Sequence, residues 1–178
     1  MASVVRTHSG NGVHEEMDRR AIACFDQGLV DAGLSADDQL RQRVVHALSQ
    51  IFVVSIDNID ADFPPFSVGN LLDTFDANAF GSYRTLLEQV TLTPVMGRFL
   101  SMLGSRRADA SGRRPDENYA REVLQLFSIG LTLHNSDGTP QLNNGQPVPA
   151  YTEADVSGLA RAFTGWDYGA GYNTASAQ

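Results

Sequence analysis

Lysine is missing from this sequence altogether, and the 13 basic residues are all arginine. Guanidinium suits bidentate contacts, but a GC-rich coding sequence is the simpler source of such a bias, so the absence assigns no function. Cysteine occurs once, as Cys24, which excludes an intramolecular disulfide and a thiolate metal cluster and leaves either redox compartment open. No stretch reaches the ~18 consecutive apolar residues that suggest a membrane-spanning helix. The opening MASVVRTHSGNG has no apolar segment of the kind a secretory signal carries, so neither signal nor span is expected. Basic residues are outnumbered 21 to 13, and the net charge of −8 opposes nucleic acid and anionic membranes as partners. Also absent are the motifs that fix a reaction. No GxSxG surrounds Ser49, Ser55 or Ser128, there is no phosphate loop, and His8, His14, His46 and His134 share no metal-ligand spacing. HEEMDRR begins like a metalloprotease helix, but the position of the second histidine is Asp18. No metal and no cofactor are expected.

What is present is enough for a core: 178 residues, 42% of them hydrophobic, fit one domain of ordinary size. Residues 1–12 and 169–178 have little to bury and are expected to be flexible tails around a helical domain at 13–168. A weak helix is expected over 15–29. Ser35 is a candidate N-cap, with Asp37 and Asp38 in the first turn, for a strong core helix from 37 to about 56, where Leu40, Val44, Ala47, Leu48, Ile51 and Val54 recur at helical spacing. His46 on that helix reads as a hydrogen-bonded core histidine. DNIDADFPPFSVGN, with Pro64, Pro65 and Gly69, reads as an irregular connection. Helices follow near 70–75 and 80–90, and a third is capped by Thr93 with Pro94 at its first position. SRRADASGRR, four arginines in nine residues from Arg106 to Arg114, reads first as a solvated loop and second as a place to meet an acidic partner.

The pattern then changes. PDENYAREVLQLFSIG predicts a helix, and YTEADVSGLARAFTGW predicts another, with Thr152 and Asp155 as a capping box over a buried stripe of Val156, Leu159, Ala160 and Phe163. Between them Asp137-Gly138 and Asn144-Gly145 signal tight turns, so a small hairpin is expected near 131–150, held to an edge by its prolines. On the first helix Glu117 and Arg121, and Asn118 and Glu122, are four apart. If Arg121 and Glu122 face Asp155 and Arg161 of the second helix, a buried ionic cluster results, either fixing the two helices or supplying a general acid or base. Trp166, following Gly165 and near Tyr168 and Tyr172, reads first as a hydrophobic anchor past a helix end and second as the wall of a ring pocket.

LRQRVVHALSQIFVVS, AFGSYRTLLEQVTLTPVMGRFLSMLG, PDENYAREVLQLFSIGL and YTEADVSGLARAFTGW, four ordered blocks over about 38–168, together resemble the large bacterial family known as domain of unknown function 1800. The resemblance implies a helical protein, periplasmic or secreted, with no established activity. It also carries over Glu117, Asn118, Arg121 and Glu122 of ENYARE, with Asp155, Arg161, Thr164 and Trp166 downstream, as candidate site residues. Family members usually begin with an export signal and continue past ARAFTGW, so the chain is expected to be an internal piece of a longer protein. A face normally covered by the remainder would then be exposed and favour a homodimer.

The expectation is an all-α, irregular multi-helix domain with a small β-hairpin insert, serving to bind a ligand or protein partner. The alternative is a hydrolase. In it Glu117 or Glu122, with Asp155 as a further candidate, acts as general acid or base, Arg121 or Arg161 stabilises developing negative charge, and Trp166 walls the pocket.

Overall fold

The computed structural model describes residues 27–55, apart from 29 and 32, and 64–168. The expected tails, most of the weak helix, Cys24 and HEEMDRR lie outside the described residues. Six named helices and one two-stranded sheet follow in order: α1 (Gln39–Ile51), α2 (Pro64–Ala77), α3 (Tyr83–Thr91), α4 (Pro94–Phe99), α5 (Asn118–Gln125), β1 (Leu142–Asn143), β2 (Gln146–Pro147) and α6 (Glu153–Ala162). Described positions between 27 and 35 are helical as well. The architecture is the expected one, helices with a small hairpin, and no helix among the described residues is long and apolar enough to cross a membrane.

Helix α1 corrects two expectations. It has no buried residue, and Leu40 is 68% exposed. Of the expected stripe Leu48 and Val54 do pack against the core, but the inward face is rotated toward Val45, and Phe52, just past the last turn, enters the core. Phe52 sets that phase because its ring lies 5.9 Å from Phe75, 5.9 Å from Tyr83 and 4.8 Å from Phe127, contacts that favour offset or tilted aromatic packing. His46 is accordingly exposed, not a core histidine. Ser35 ends the preceding helical turns, donating to Asp31 O at 2.6 Å, and the N-cap position falls to Asp38.

Of the segment expected to be an irregular connection, residues 64–70 are the first half of α2, and residues 57–63 lie outside the described residues. Pro64 and Pro65 sit in its first turn, where a missing N–H costs no helical bond. Leu71 and Phe75, four apart, then bury fully. Helices α3 and α4 meet at Thr93, whose extended backbone and following Pro94 start α4 as expected. Its hydroxyl, however, donates to Val90 O at 2.7 Å instead of capping α4. Gly97 leaves α4 closely packed on the turn after it, since a Cβ there would sit 3.3 Å from Leu103 Cβ.

The hairpin forms at its strongest signal. Asn144 and Gly145, with φ of 51° and 77°, are both left-handed, as a type I′ turn demands, and Leu142 pairs with Pro147 across it. Bridges from Thr132 to Pro149 and from His134 to Pro140 attach the start of the insert to it. Leu131, Leu133 and Leu142 remain exposed.

Candidate functional site

Helix α5 is docked on two sides. Tyr119 points into the main core, 1% exposed, with its ring 6.2 Å from Phe127 and 5.1 Å from Phe163. Its hydroxyl lies 2.7 Å from Thr91 Oγ1. Thr91 already donates its one proton to Leu87 O, so Tyr119 is the donor. Burial pushes the Tyr119 phenol up to about 12, against a smaller opposing effect of the Thr91 bond. On the other side Ala120 meets Val156 and Ala160 of α6, small side chains that let the two helices approach closely.

That approach arranges the polar residues. The loop before α5 is tied down by Asp116 N donating to Ser105 Oγ at 3.2 Å and by Asn118 N donating to Asp116 Oδ1 at 2.9 Å. Glu117 occupies the N-cap position without capping. Its carboxylate turns to α6, where Ser157 donates to Oε1 at 2.8 Å, and its Oε2 lies 3.5 Å from Arg121. Arg121 in turn grips Glu153 with two bonds of 3.0 and 2.9 Å. This bidentate contact raises the Arg121 pKa and lowers that of Glu153. The line Glu153–Arg121–Glu117–Ser157 therefore joins the two helices along their exposed edge.

The buried ionic cluster expected from spacing does not form. Glu122 lies about 100° around α5 from Arg121, on the side away from α6, and its Oε2 is shielded from water without a hydrogen-bond partner. Asp155 stays with its own helix, accepting from Thr152 N at 2.8 Å and Thr152 Oγ1 at 2.7 Å while its own N–H donates back. These bonds complete the expected capping box and lower the Asp155 pKa, chiefly through the Thr152 hydroxyl. Asn118 is exposed, and Thr164 donates to Arg161 O at 2.9 Å at the end of α6.

Arg161 is brought to a different place. With Arg114, Pro115, Glu117, Ala154, Ser157 and Ala160 it lines a groove of about 290 Å³ between the loop before α5 and α6. Arg121 and Glu117 are matched by carboxylate and cation, but Arg114 and Arg161 have no carboxylate partner among the described residues. The neighbouring Arg113 is held 3.3 Å from Asp109. Asp109 also receives Ser111 N, Ser111 Oγ and Arg113 N, bonds that lower its pKa, the Ser111 hydroxyl foremost. The arginine-rich stretch is thus an ordered turn, with Arg114 set at the groove.

Ser157 was not singled out by sequence reasoning, because nothing local marks it, and Arg114 was marked only as one of four arginines in its stretch. Ser157 matters only through a helix contact with a residue 40 positions away. Trp166 is 41% exposed and lies apart from this groove. It lines a hollow of about 240 Å³ with Gly97, Leu103 and Tyr168, its carbonyl accepting from Gly104 N at 2.9 Å. Beside it the Arg98 guanidinium stands 5.4 Å from the Tyr168 ring centre. No group of three or more histidine, cysteine, aspartate or glutamate side chains suited to a metal occurs among the described residues.

A family model described as protein of unknown function, DUF1800, matches residues 7–178. No curated protein and no solved structure matches the chain.

Proposed function

The chain belongs to the DUF1800 family, described as of unknown function, and from that premise we propose that it is a ligand- or partner-binding module whose α5–α6 groove takes an anionic group. The observation that carries this reading is the pair Arg114 and Arg161, two guanidinium groups on one groove, neither neutralised by a carboxylate among the described residues. Guanidinium binds carboxylate or phosphate oxygens in a planar, two-bond geometry. Glu117 on the same groove carries the opposing charge, but it is one carboxylate against two guanidinium groups and lies 3.5 Å from a third, that of Arg121. A locally cationic groove on a chain of net charge −8 favours one small anion over an extended polyanion, which the rest of the surface repels.

The test is calorimetric titration of inorganic phosphate and of succinate at low ionic strength. Arg114→Gln and Arg161→Gln should each weaken binding about tenfold, the size of one lost charge-assisted contact, and added salt should weaken it further. Heats indistinguishable between the parent and both variants would remove the proposal. The extracytoplasmic setting implied by the resemblance belongs to the same reading and is tested by fractionating cells that express the natural gene.

A second reading, the hydrolase, is supported by one observation: the Glu117 carboxylate accepts the Ser157 hydroxyl at 2.8 Å beside the same arginines, an arrangement of base, hydroxyl and cations usable in acyl transfer. Ser157→Ala should abolish any ester hydrolysis while leaving anion binding in place. Hydrolysis unchanged in that variant would exclude this reading.

A further inference from the structure

Away from that groove, the helical residues before α1, α1 itself and α2 line an open cavity of about 660 Å³, within the ~300–1,000 Å³ range of small-molecule sites. Its wall is apolar: Val30 and Leu34 from the first helical stretch, Val45 from α1 and Leu72 from α2. Val30 and Leu34 remain 53% and 78% exposed although they face it, so an occupant would cover apolar surface that these side chains leave open. The polar groups lie along α1, as Gln42, Arg43, His46 and Ser49.

Two of those four polar side chains are engaged. Ser49 donates to His46 O at 2.7 Å, and Gln42 donates to Asp38 at 3.3 Å. The nearby carboxylates are engaged as well. Asp38 lies 3.4 Å from Arg41, Asp76 lies 3.9 Å from the same guanidinium, and Asp31 accepts from Gln27 at 2.9 Å. Arg43 alone among these cations has no carboxylate partner among the described residues.

We propose that this cavity binds a small amphiphile with an apolar chain and an anionic head, the chain against Val30, Leu34, Val45 and Leu72 and the head on Arg43. Apolar contact supplies most of the affinity, and the guanidinium selects the sign of the head. This site stands independently of the α5–α6 groove, shares no residue with it, and is unaffected if that groove binds nothing.

The experiment is calorimetric titration of the 178-residue chain with dodecanoate below its micelle concentration, beside dodecyltrimethylammonium. Saturable binding of dodecanoate and not of the cationic amphiphile is expected. Arg43→Gln should weaken dodecanoate about tenfold, and Leu34→Glu, at a position exposed enough to leave folding intact, should abolish it. Leu142→Glu, on the exposed hairpin, should leave it unchanged. Three results would overturn the proposal: no saturable binding, as when the chain's own residues fill the cavity; equal binding of both amphiphiles; or loss of binding in Leu142→Glu with Leu34→Glu unaffected.

Discussion

Thr91→Val should destabilise the protein more than Tyr119→Phe, although the two remove the same hydrogen bond. Tyr119 is 1% exposed and its hydroxyl lies 2.7 Å from Thr91 Oγ1, which has already given its proton to Leu87 O. In Tyr119→Phe the threonine keeps its own bond, and the loss is that of one ordinary hydrogen bond, about 0.5–1.5 kcal/mol. In Thr91→Val the phenol proton stays buried with no acceptor, a penalty of about 1–3 kcal/mol. The double variant should sit close to Tyr119→Phe, because once the phenol is gone the valine strands nothing. Urea unfolding with an unchanged slope is the assay, since slope constancy shows that the unfolded reference has not moved. For a chain of this length ~1 kcal/mol corresponds to roughly 2–4 °C in Tm. A Tyr119→Phe cost equal to or above that of Thr91→Val would refute the assigned donor direction.

Other expectations follow from the same geometry. Glu122→Met should hold or raise Tm, because it replaces a carboxylate oxygen that is shielded without a partner by an apolar chain of similar length; a drop of several degrees would mean that Glu122 is paired in solution. Thr152→Ala should cost about 0.5–2 kcal/mol by loss of the capping box, read by thermal unfolding. The Asp155 pKa is lowered in the folded protein, so its contribution is present above the ordinary aspartate value of about 3.9 and disappears as pH falls through the depressed one. Thr152→Ala should flatten that part of the acid limb of the stability curve. Gly145→Ala places a side chain at φ 77°. It should speed hydrogen exchange at Val148 and Leu133, whose amides bond within the insert, while the α5 amides keep their protection. If the exposed Leu126, Ile129, Leu131 and Leu142 mediate self-association, sedimentation should show a dimer that Leu142→Glu dissociates.

Much of this arrangement was legible in the sequence where a signal is local. Asn144-Gly145 gave the turn, and Thr152 with Asp155 gave the capping box. The stripe Val156, Leu159, Ala160 and Phe163 gave the face of α6 that meets α5. Three features escaped because tertiary packing decides them. Prolines 64 and 65 read as interruption yet open α2, since Leu71 and Phe75 further along gain a buried face. The phase of α1 is set by Phe52 inserting among Phe75, Tyr83 and Phe127, residues far apart in sequence. At the site, spacing put Glu117, Arg121 and Arg161 on neighbouring helices, and the structure places Glu117 and Arg161 on one groove. Rotation about each helix then sent Glu122 and Asp155 elsewhere and drew in Ser157.

In the proposed binding mode Arg114 and Arg161 act together on one anion. The most direct measurement follows the arginine Nε–H resonances by NMR while succinate is added at low ionic strength. The Arg114 and Arg161 signals should shift together along one saturable curve, with Arg121, held by Glu153, moving little. Shifts spread evenly over all arginines, or rising linearly without saturation, would contradict it.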